Sequence, residues 1–199
     1  PQAIVLGASA GAPSALEMAL RHPDRVTALV LLVPRCYHPE TQVAVDATGP
    51  NKAIVALMER GADLAYWLAL RTSRARLVRF LGVPPEVEAK AAKLDRAAVD
   101  HILRSLLPLS LRVPGLKLDG TAEIVDLPLE RITVPTLIIS ARDDLYHTAP
   151  AAEYTACRIP ESQLHLFESG GHLLVGRSGE VRDLDDGFLR RRLWLRKAA

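Results

Sequence analysis

Cysteine is scarce: Cys36 and Cys157 are the only two in 199 residues. They make neither a disulfide framework nor a C-x-x-C metal pair, so no metal is expected and a reducing, cytoplasmic setting is the simplest reading. An excess of one charge is lacking too. The 25 basic and 23 acidic residues leave a formal charge of +2, which does not call for nucleic acid. The densest basic run, Arg190, Arg191 and Arg192 with Arg196 and Lys197, reads as the solvated face of a last helix, with an anionic partner or membrane surface as the alternative. No apolar run reaches the roughly 18 residues that a membrane span needs. The nearest, 53–70, is interrupted by Glu59, Arg60 and Asp63. No signal peptide, internal repeat or low-complexity tract is visible, although the abrupt opening on a strand leaves an upstream signal open.

What is present is a hydrophobic content of 49%, enough for a well-buried core in a chain of this length. Ala3-Ile4-Val5-Leu6 is a short apolar run, and 13–21 then carries Leu16, Met18, Ala19 and Leu20 at helical spacing before His22-Pro23 stops it. Residues 26–33 are nearly all apolar, as a parallel strand covered on both faces would be. Strand, helix and strand imply a βαβ unit. From about Cys36 the texture changes to Ala-, Leu- and Arg-rich segments, and helices are predicted over 52–70, 73–81 and 86–107. Alternation then resumes, with strands at 136–140 and 163–167 and helices at 149–157 and 185–197. The expected class is α/β: a mostly parallel sheet flanked by helices, with core segments at 1–35 and 129–199 and a helical lid insertion at 36–128.

Three segments carry residues suited to chemistry. Gly7-Ala8-Ser9-Ala10-Gly11 matches G-x-S-x-G directly after a strand and before a helix, where the serine stands on a tight turn and both glycines relieve crowding. The Ala10 amide, at the helix N-terminus, would face a developing oxyanion. A bare phosphate cradle is the competing reading, but G-x-G-x-x-G and a following Lys-Ser/Thr pair are missing. The second segment, Pro135 to Asp144, is a strand ending in two adjacent carboxylates. Only one of them can point at a given partner, and the other would bond the loop backbone. The third, Gly170-Gly171-His172, puts an imidazole on a loop after a predicted strand. Among the other five histidines, His147 competes because it follows the carboxylates closely.

In that order these segments resemble the α/β-hydrolase fold family, in its lidded, serine-nucleophile subgroup. The resemblance runs from Ala3 through the last helix, and is most specific at 7–13 and 170–176. It implies Ser9 as nucleophile, His172 as general base and the aspartate of a Gly-x-x-Asp strand end as the acid. Ala141 in the glycine's place selects Asp144, the preferred acid; counting from Ser140 selects Asp143. A serine at position 9 disfavours the branches with an aspartate nucleophile. No cofactor is implied, and the partner is a small-molecule substrate, with a homo-oligomer left open.

The family also has four strands before the one that carries the nucleophile, and an early loop that donates the second oxyanion amide. The chain is therefore expected to be the C-terminal part of a longer protein, with those strands outside it and with little activity alone. The expected reaction is acyl transfer from an ester to water. The same triad would serve a carbon–carbon hydrolase or a perhydrolase, and the fold also occurs as a non-catalytic binding protein. Substrate-binding residues are not assigned; Tyr66, Trp67, Leu68 and Phe80 either line an apolar pocket in the lid or simply pack there.

Overall fold

Strands β1 (Ala3–Ala8), β2 (Val26–Leu32), β3 (Thr136–Ala141) and β4 (Ser162–Phe167) form one sheet in the computed structural model, which describes residues 1–40 and 63–197. Their spatial order is their chain order, and every pairing is parallel. All carboxyl ends therefore lie along one edge, where ligands bind in open α/β sheets. Among the described residues β1 pairs only with β2, and its Ile4 and Leu6 are 42% and 57% exposed.

Side-chain alternation sorts the sheet into two faces. Leu29, Leu31 and Ile138 pack against Ala12, Ala15, Leu16 and Ala19 of α1 (Ala12–Arg21), and against Ala151 and Ala152 further along the chain. Ala28, Val30, Leu137 and Ile139 face the opposite way, onto Phe188. A strand buried on both faces has no use for alternation with polar residues, hence the continuous apolar run from Val26.

Between β2 and β3 the described chain is helical: α2 (Asp63–Thr72), α3 (Arg74–Phe80), α4 (Pro85–Lys90), α5 (Lys93–Ser105) and α6 (Val113–Thr121). They share a separate core containing Tyr66, Leu77, Val78, Val83, Val99 and Leu103. After β3 come α7 (Thr148–Arg158) and, after β4, α8 (Ser178–Lys197).

Two sequence expectations shift. The helix predicted over 86–107 is broken, because Ala91 and Ala92 are extended at ψ 153° and 156°. Alanine is the best helix former, so tertiary packing overrides propensity here; Glu88, just before the break, is buried between Arg74 at 2.7 Å and Arg96 at 3.3 Å. The last helix begins at Ser178 rather than 185, since Val181 and Leu184 extend the Phe188 stripe onto the sheet. Of the helix predicted over 52–70, the part up to residue 62 lies outside the described residues. No helix among the described residues is long and apolar enough to cross a membrane.

Burial also affects groups that titrate at high pH. It pushes the Cys36 thiol from its ordinary 9.0 up to about 12, the nearby Thr155 hydroxyl opposing the shift, and it pushes the Tyr66 hydroxyl from 10.0 up to about 12. Between these values the folded chain holds protons that the unfolded chain has released, so stability must fall as pH rises. Urea midpoints should decline progressively from pH 9 toward 12, and Cys36→Ala should reduce the early part of that decline.

Candidate active site

β1 delivers Ser9 to the carboxyl edge. Ala8 is still extended at φ −107°, whereas Ala12 is already helical at φ −63°, so the chain reverses within three residues. Ser9 itself takes φ +48°, a left-handed conformation that costs a non-glycine residue about 1–3 kcal/mol. The turn is held by the Ser9 carbonyl, which accepts the Arg35 N–H at 3.1 Å and also the Ala12 N–H.

The two glycines of the motif differ. A Cβ at Gly7 would lie 2.7 Å from Ala15 Cβ and 2.9 Å from Ala12 Cα, so close strand-to-helix approach does require glycine there. Gly11 has φ −78°, and nothing lies within 4 Å of where its Cβ would stand. The expectation of crowding at Gly11 is corrected. Gly7→Ala should destabilise the fold by about 1–3 kcal/mol through overpacking, whereas Gly11→Ala should stabilise it by about 0.4–1 kcal/mol by restricting the unfolded chain. Urea denaturation of both variants checks the contrast.

β3 ends at Ala141, and the two carboxylates just beyond it diverge. Asp144, 1% exposed, faces inward. Its Oδ1 accepts the Tyr146 N–H at 2.8 Å, while Oδ2 accepts the Thr148 hydroxyl and lies 2.8 Å from His172 Nδ1. Thr148 lies 2.9 Å from the buried Ser140 hydroxyl, which extends the network under the sheet edge. Asp143 turns to the histidine loop instead: its Oδ1 accepts the N–H groups of Gly170 at 3.0 Å and Gly171 at 2.8 Å.

The loop after β4 brings in His172, whose Nε2 lies 2.8 Å from Ser9 Oγ. A carboxylate can only accept, so Nδ1 carries the proton toward Asp144, which leaves Nε2 as the acceptor for the serine hydroxyl. Gly171 at φ +60° makes the turn into His172. The competitor His147 is exposed at φ +54° at the start of α7, and its N–H donates to the Asp144 carbonyl at 2.9 Å. Ala10 sits in the short 3₁₀ turn Ser9–Gly11 that opens into α1, where the first amides have no partner within their own helix.

Two residues that sequence reasoning missed border this arrangement. The Tyr146 ring meets the His172 ring edge-on, with centroids 4.7 Å apart, and its hydroxyl donates to the Phe80 carbonyl. Burial, and secondarily the Asp144 charge, push that hydroxyl up to about 12. Gly82, in the turn after α3, accepts the N–H groups of Leu145 and His172. Neither was legible locally, because their partners lie 26 to 90 residues away along the chain.

Of the four residues considered for an apolar pocket, Tyr66 is buried in the core of the helical segment and donates to the Leu103 carbonyl at 2.8 Å, Trp67 is exposed with Arg71 stacked over its ring at 4.2 Å, and Leu68 is half exposed, whereas Phe80 is half-buried at the end of α3, its carbonyl bonded to Tyr146 beside His172. A cavity of 330 Å³ has Glu86, Lys90, Ser169 and Arg177 in its walls but none of Ser9, Asp144 or His172.

A family model described as alpha/beta hydrolase fold matches residues 1–176. A 2-hydroxy-6-oxononadienedioate/2-hydroxy-6-oxononatrienedioate hydrolase of Cupriavidus pinatubonensis is 28% identical over 171 residues, covering 84% of this chain and 55% of its own. The chain spans 55% and 59% of the lengths of two curated relatives it matches. Among solved structures, an alpha/beta hydrolase fold protein from Nakamurella multipartita is 26% identical, with a TM-score of 0.55, over 95% of this chain and 69% of that one. A hydrolase from Pseudomonas aeruginosa superimposes with a TM-score of 0.63 at 24% identity, over 96% and 64%; at that identity the likeness concerns the fold. With a parallel sheet, a serine turn at its carboxyl edge and a family match over most of its length, this chain belongs to the alpha/beta hydrolase fold family.

Proposed function

We propose that the protein is a serine hydrolase that transfers an acyl group to water, with a carboxylic ester or a related small apolar acyl compound as substrate. The observation that carries this reading is the unbroken hydrogen-bond relay from Ser9 Oγ through His172 to Asp144, with both links at 2.8 Å. His172 Nε2 takes the hydroxyl proton as Ser9 Oγ attacks the carbonyl carbon. Asp144 holds the imidazole in the required tautomer and balances its positive charge. The oxyanion accepts the Ala10 N–H, a donor fixed in place before reaction; one such donor is worth on the order of 3 kcal/mol. Collapse expels the alcohol, which takes its proton from His172. Water, deprotonated by the same imidazole, then releases the acid and restores Ser9.

The test is covalent labelling by a fluorophosphonate together with turnover of 4-nitrophenyl esters of increasing acyl length. Labelling that persists in Ser9→Ala would sink the nucleophile assignment. A carbon–carbon hydrolase is the second reading, favoured by the name of the Cupriavidus relative. Turnover of a diketone-type acid with none of the esters would select it.

A further inference from the structure

We propose that the lid turn at Gly82 is a positioning element of the site, holding the acid loop and the histidine loop at a fixed separation through one carbonyl oxygen. This rests on the reading of His172 as base and Asp144 as its partner. The Gly82 carbonyl accepts the Leu145 N–H at 3.1 Å and the His172 N–H at 3.0 Å. Leu145 directly follows the acid, and His172 is the base itself. One oxygen with two lone pairs thus ties the backbones whose side chains must meet, and such constellations lose function when displaced by more than about 0.5 Å.

The contact is too close to admit another atom. Gly82 takes φ +74°, and a Cβ there would lie 2.6 Å from His172 Cβ and 2.8 Å from Tyr146 Cδ2. From the other side, a Cβ at Gly171 would lie 2.8 Å from Val83 Cα and 2.9 Å from Pro84 Cδ. Two glycines therefore face each other across the boundary between lid and core. The attachment continues along the histidine loop, where Val175 is buried in the lid core with Val78 and Val83, and Leu173 packs against that cluster. Tyr146 completes it, edge-on to His172 and bonded to the Phe80 carbonyl at the end of α3.

His172 is thus held from the lid at its backbone and through the residues that follow it, and its ring meets Tyr146, which is itself bonded to the lid at Phe80. The lid sets the geometry of the base as well as covering it.

The test compares Gly82→Ala and Gly82→Asn with Gly115→Ala, a lid glycine with open space around it. The readouts are thermal midpoint, kcat and KM for 4-nitrophenyl acetate, and the deshielded proton NMR signal of His172 Nδ1–H. Misplacement of the base should lower kcat about 10²-fold in Gly82→Ala with KM nearly unchanged, and should shift or remove the Nδ1–H signal. Asparagine tolerates a positive φ but carries the same Cβ into the same 2.6 Å contact, so Gly82→Asn relieves only the backbone strain and should lower kcat as Gly82→Ala does. Gly115→Ala should behave as wild type.

A folded Gly82→Ala with wild-type kcat and an unshifted signal would overturn the proposal, as would full restoration of kcat by asparagine. If neither variant folds, hydrogen exchange of the Leu145 and His172 amides in the unsubstituted protein decides: strong protection of both is expected from the shared Gly82 carbonyl, and free exchange of either would equally overturn the proposal. The NMR signal is also read in Ser9→Ala. Loss of the nucleophile assignment is therefore seen in labelling, separately from loss of the Gly82 assignment, which is seen in the signal.

Discussion

Ser9→Ala is expected to remove all fluorophosphonate labelling and to lower kcat by on the order of 10⁶-fold, the loss typical of deleting a serine nucleophile that works as a unit with its base. The geometry makes the expectation strict. Ser9 Oγ is the atom placed 2.8 Å from His172 Nε2, so an alanine at position 9 leaves the imidazole with nothing to deprotonate there. His172→Ala should cost about as much as Ser9→Ala, and the double variant no more than either single one, because each change disables the same step. Additive losses in the double variant would mean that the two residues act independently. Thermal midpoints of Ser9→Ala should not fall, since the substitution removes no buried apolar contact and shortens a side chain on a strained turn. Steady-state kinetics on the ester series and labelling followed by mass spectrometry check each point.

Substituting the two neighbouring aspartates should separate their roles with nearly as large an effect. Asp144→Asn is expected to lower kcat by about 10⁴-fold with KM little changed, because an amide can donate to Nδ1 and so place the ring proton on Nε2, where the Ser9 proton must go. Asp143 holds the loop rather than the ring. Its Oδ1 accepts both the Gly170 and the Gly171 amides, so Asp143→Asn can preserve both bonds through its carbonyl oxygen. Asp143→Ala instead leaves two buried donors unpaired, a loss of about 1–3 kcal/mol for each. The expected pattern is near-normal kcat for Asp143→Asn, reduced stability for Asp143→Ala, and a severe kinetic defect confined to Asp144. A kinetic defect in Asp143→Asn equal to that of Asp144→Asn would show that the acid is misassigned.

The amino-acid sequence by itself determined the α/β class, the βαβ opening and the helical insertion, because those follow from local periodicity: apolar runs for doubly covered strands, spaced leucines and alanines for helices. It also singled out Ser9 as the candidate nucleophile, since G-x-S-x-G between a strand and a helix is a short-range signal, and His172 as the candidate base, since the glycines before it mark a loop. It left Asp143 and Asp144 as alternatives, because adjacent residues leaving a strand point in different directions and only the path of the following turn says which meets the imidazole. Tertiary structure decided that Asp144 is the one buried against His172, with Asp143 spent on the glycine amides. It decided the break at Ala91 and Ala92, where packing outweighs helix propensity, and the freedom of Gly11. Gly82 and Tyr146 were beyond sequence reasoning altogether. Their effect on His172 comes from through-space contact between a lid turn and two distant loops, and no local pattern of residues encodes a contact whose partners are joined only when the chain folds.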